Sequence, residues 1–88
     1  MTVTGRQTAI SILTAGVHHG GTEELAVLIA ASFEKDLEET GSFVAAFAHY
    51  TETGAHLAAI ALAALMRYAH ATGRSIEDVL ADFRDAPL

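Results

Sequence analysis

Ten consecutive positions, 57–66, read Leu-Ala-Ala-Ile-Ala-Leu-Ala-Ala-Leu-Met, without one polar side chain. A surface helix keeps a polar face, so a helix that is apolar all round must be covered on every side. A chain of 88 residues has little material of its own to wrap such a rod. The run therefore speaks for packing and self-association before it speaks for chemistry.

A chain of this length reads as one domain, 1–88, able to bury about 60–65% of its unfolded surface. An apolar fraction of 51% with only 18% charged residues argues against disorder. The net charge of −6 argues against nucleic acid as a partner, since phosphate contact needs clustered Lys and Arg. Arg6, Lys35, Arg67, Arg74 and Arg84 are instead scattered. There is no cysteine, which removes disulfides, thiolate zinc sites and thiol catalysis together and fits a cytoplasmic setting. Alanine richness with arginine over lysine points to a bacterial origin. The stretch after Arg6 imitates a secretory signal only loosely, because Ser11, Thr14, His18 and His19 interrupt it. The apolar stretch 55–66 falls short of the roughly 18 residues that span a bilayer, so no membrane segment is expected. Glu23, Glu24, Glu34, Asp36, Glu38 and Glu39 oppose only Lys35, and this acidic arm suits a basic protein partner.

Helical spacing dominates, apart from a short extended start over 1–4. Val3, Arg6, Ile10, Leu13 and Val17 recur at steps of three and four, with Ala9, Ile12 and Gly16 beside them. This first helix is expected to stop at Gly20-Gly21. Thr22 can cap the second, where Leu25, Leu28, Ile29, Phe33 and Leu37 form the apolar stripe. Gly41 ends it and Ser42 caps the next. Phe43, Phe47, Tyr50, Gly54, Leu57, Ala61, Ala64 and Tyr68 then keep one phase, which predicts one long helix with Gly54 on its buried stripe. The competing expectation is a break at Gly54. Gly73 ends the long segment, a last short helix carries Ile76, Val79, Leu80 and Phe83 after a Ser75 cap, and Pro87 closes the chain. The expected fold is all-α: a small dimeric bundle of four helices with one long central helix, or five helices if Gly54 breaks it.

No motif fixes a reaction. The glycines at 16, 20 and 21 lack the Gly-Lys-Ser/Thr of a phosphate loop, and no serine sits in a Gly-x-Ser-x-Gly elbow. The carboxylates at 34–39 read as a solvated helix face rather than a calcium loop. His18-His19 reads as solvated loop sequence. An enzyme is therefore not expected, although a catalytic group supplied across a dimer interface would escape this reading. No cofactor is expected.

The leading expectation is a protein that acts by association, as a homo-oligomer, adaptor or regulator. Ala55, Ala59 and Ala63 recur every four residues, which lets a second helix backbone come close. With Ile60, Leu62 and Met66 they make the expected interface. The alternative is a metal- or ligand-binding bundle. His49, Glu52 and His56 lie at i, i+3 and i+7 on one side of a helix and carry donors that suit zinc or nickel. Phe43, Phe47, Tyr50 and Tyr68 could frame an apolar pocket.

Overall fold

Short hydroxyl side chains mark three of the helix starts. A computed structural model describes residues 4–19 and 22–84. Residues 1–3 of the extended start expected over 1–4, the stop at Gly20-Gly21 and Pro87 lie outside the described residues, as do the side chains of His19 and Thr22. Among the described residues the chain is all-helical and without a strand: α1 (Gly5–His19), α2 (Thr22–Thr40), α3 (Phe43–Thr72) and α4 (Ile76–Arg84).

Thr4 closes a reciprocal capping box on α1. Its Oγ1 accepts from the Gln7 N–H at 3.1 Å, while its own N–H donates to Gln7 Oε1 at 2.9 Å. Ser42 accepts from the Ala45 N–H at 3.2 Å to cap α3, and Ser75 accepts from the Asp78 N–H at 3.1 Å to cap α4. Glu23 and Glu24 occupy the first turn of α2, where carboxylates oppose the positive end of the helix dipole. Glycines stop α2 and α3, as expected from the sequence. Gly41 (φ 63°) donates to Leu37 O at 2.9 Å. Gly73 (φ 69°) and Arg74 donate to His70 O and Ala69 O, a Schellman ending.

The chain divides into two units, Met1–Leu57 and Ala58–Leu88, and α3 contributes to both. In the first unit the buried face of α1 is Gly5, Ala9, Ile12 and Gly16, not the expected Ile10–Val17 stripe. Ile10 is 48% and Val17 83% exposed. Close approach explains the phase shift. A Cβ on Gly16 would stand 2.6 Å from Leu25 Cδ2, and one on Gly5 would stand 2.5 Å from Glu52 Cγ. The face with the smallest side chains turns inward because α2 and α3 come nearest there.

The inward face of α3 is corrected in the same way. Ala46 and Thr53 are buried and His49 is half-buried, whereas Phe43, Phe47 and Tyr50 are exposed. Gly54 is exposed too, and a Cβ there would have no neighbour within 4 Å among the described residues, so it mediates no close approach among them. The Thr53 hydroxyl is buried and makes no hydrogen bond among the described residues.

In the second unit Ala69 and Val79 are buried. Arg74 reaches from the turn into α4, donating to both carboxylate oxygens of Asp82 at 2.6 and 3.1 Å and to Asp78 O at 3.1 Å. The hydrogen bond from Arg74 holds the Asp82 carboxyl below its ordinary range and, reciprocally, raises the guanidinium.

Candidate functional site

Three polar side chains, one from each helix of the first unit, meet at His49. Thr8 stands on the second turn of α1, Asp36 on α2 and His49 on the second turn of α3. Asp36 Oδ2 lies within hydrogen-bond reach of His49 Nδ1, and Thr8 Oγ1 lies 3.1 Å from His49 Nε2. An ionised carboxylate can only accept, so Nδ1 carries a proton. In the neutral ring Nε2 is then the acceptor for the Thr8 hydroxyl. The side chains of His49 and Asp36 are only 18% and 19% exposed. Partial burial keeps this pair from being dissipated by solvent as a surface pair would be.

The same three residues line an open cleft of about 700 Å³ between α1, α2 and α3. Its apolar wall comes from Ile12, Ala15, Leu28, Ala31 and Ala45, and Ser11, Ser32 and Thr40 add hydroxyls. Lys35 and Glu39, 3.9 Å apart, also line it, and both are well exposed. Such a volume lies within the usual range for small-molecule sites.

The residues expected to bind metal part company. His49 is held by Asp36 and Thr8, whereas His56 Nε2 pairs with Glu52 Oε1 at 3.9 Å. Glu52 itself packs over Gly5. Among the described residues no group of three or more His, Cys, Asp or Glu side chains is placed to hold a metal ion. Of the expected aromatic frame, Phe43, Phe47 and Tyr50 gather with Phe33, while Tyr68 belongs to the second unit. Phe33 meets Phe43 and Tyr50 edge-on at 5.8 and 5.9 Å, favourable geometry for aromatic pairs. These rings do not line the cleft.

Of the expected interface residues, Ala55, Ala59, Leu62, Ala63 and Met66 are exposed and Ile60 is half-buried. Leu62 and Met66 are 49% and 55% exposed.

Thr8 and Asp36 escaped the sequence reading because no local motif joins positions 8, 36 and 49. A signal existed for Asp36. Leu25, Leu28, Ser32, Asp36 and Glu39 follow steps of three and four, so Asp36 continues the face of Leu25 and Leu28. No protein-family model matches the chain, nor does a curated protein or a solved structure. No described helix is long and apolar enough to cross a membrane.

Proposed function

We propose that the protein acts by association, as a homodimer joined along α3, its long central helix. One observation carries the reading: all nine residues of 58–66 are apolar and none is buried. Ala55, Ala59, Leu62 and Met66 follow steps of four, three and four, which aligns them on one side of the helix. A second copy laid along that side covers Leu62 and Met66, each contributing about 1.5–3 kcal/mol when fully buried. The alanines between them allow the two backbones to approach closely. The carboxylates of α2 leave the assembly a surface for a basic partner protein, and the absence of cysteine suits the cytoplasm.

Light scattering at low micromolar concentration tests this. The expected mass is twice 9.2 kDa, falling to 9.2 kDa in Ala59→Arg with helicity retained. A native mass of 9.2 kDa defeats the proposal, as does an Ala59→Arg variant that stays dimeric. A second reading, binding of a small organic ligand, is supported by the cleft of about 700 Å³.

A further inference from the structure

We propose that Thr8 is a base-activated hydroxyl that accepts an acyl group from small activated esters entering the α1–α2–α3 cleft, with His49 as general base and Asp36 as the residue that positions it. The proposal stands apart from self-association along α3. A purely structural clamp would account for the two hydrogen bonds of His49 but not for their place. Thr8, His49 and Asp36 all line a cleft of about 700 Å³, whose lining also includes Ile12, Ala15 and Leu28. An apolar wall beside a polar relay suits a carbonyl compound with a short hydrocarbon chain.

The order of the groups is the one acyl transfer requires. Asp36 accepts from Nδ1 and fixes the tautomer that leaves the Nε2 lone pair toward Thr8, 3.1 Å from its Oγ1. As Oγ1 bonds to the ester carbonyl carbon, its proton passes to Nε2 and the carbonyl π pair moves onto oxygen. Collapse of the tetrahedral species restores the carbonyl and breaks the bond to the leaving oxygen. That oxygen departs as an alcohol with the proton from Nε2, or as a phenolate while Nε2 gives its proton to solvent. Water then repeats the sequence on acyl-Thr8 and releases a carboxylic acid. Ser11, Ser32 and Thr40 are further hydroxyl groups lining the cleft.

The test uses the full chain and p-nitrophenyl butyrate, read by p-nitrophenol release and by mass mapping of the acylated peptide. The expected result is a burst of p-nitrophenol with butyryl on Thr8. Thr8→Val should abolish the adduct and Thr8→Ser should keep it. Loss of the general base in His49→Gln should slow acylation by about 10²–10⁴-fold. Asp36→Asn should slow it with helicity unchanged, and Asp36→Glu should recover part of the rate, which a merely structural carboxylate would not do. An intact helical chain without an adduct overturns the proposal. So does an adduct on His49 or Lys35 in place of Thr8, or an acylation rate unchanged in Thr8→Val.

Discussion

Replacing Gly54 by alanine should make the protein more stable, and the size of the gain follows from its surroundings. Gly54 lies inside α3, is exposed, and offers open space where a Cβ would stand. Its φ is not among the positive glycine values, so alanine meets no backbone strain. What remains is helix propensity, which favours alanine over glycine by about 1 kcal/mol in a helix interior. For a domain of this size that corresponds to a rise of about 4–8 °C in Tm. Gly16→Ala makes the internal control. It gains the same propensity, but its Cβ would stand 2.6 Å from Leu25 Cδ2. Overpacking of that kind costs about 1–3 kcal/mol, so the net change should be between zero and a loss of about 2 kcal/mol. Urea titrations followed by circular dichroism, with thermal melts beside them, give both values. A destabilised Gly54→Ala variant would refute the reasoning, because that sign belongs to a glycine that ends a helix or receives a neighbouring backbone.

Thr53→Val removes a buried hydroxyl that has no hydrogen-bond partner among the described residues, so stability should rise by about 1–3 kcal/mol, measured in the same urea titrations. His49→Leu strips Asp36 of its partner and should cost about 1.5–3 kcal/mol, the range for hydrogen bonds to charged groups. The Arg74–Asp82 link has a defined acid limit. Because the Asp82 carboxyl is held below its ordinary value, the link's contribution is complete above that value, about 3.9, and disappears as pH falls through the lower folded value. Arg74→Ala should therefore melt below the native chain at pH 7, and the two should converge as pH falls through that lower folded value. A gap in Tm that persists there would separate the effect from this pair.

Helix ends were legible because their causes are local. Gly41, Gly73, Ser42 and Ser75 act within one or two turns, and each stands where the spacing placed it. The inward faces were less legible. Large apolar residues marked one side of α1 and of α3, yet among the described residues the buried ones are, Ile12 apart, small: Gly5, Ala9, Gly16, Ala46, Thr53 and Ala69. Hydrophobicity ranks Ile10 and Phe47 above these small residues, but the distance between helix axes decides which side chains fit. That distance is a property of a pair of helices and is not written in either one. The candidate site illustrates the same limit. Asp36 reads as one more solvated carboxylate until α3 brings His49 to it and α1 brings Thr8.

The slightness of the buried side chains has a consequence for heat capacity. Among the described residues, alanines at 9, 46 and 69, with Ile12 and Val79, are the buried apolar ones, and only Val79 is a fully buried side chain of any size. Unfolding such a chain hydrates little new hydrocarbon, so its heat-capacity change should fall below the usual 12–15 cal/mol/K per residue, roughly. A small heat-capacity change flattens the curve of stability against temperature and makes the denaturant slope shallow. Melting would then be broad and weakly cooperative in dilute solution. Any partner that covers hydrocarbon would steepen the transition and tie its midpoint to protein concentration.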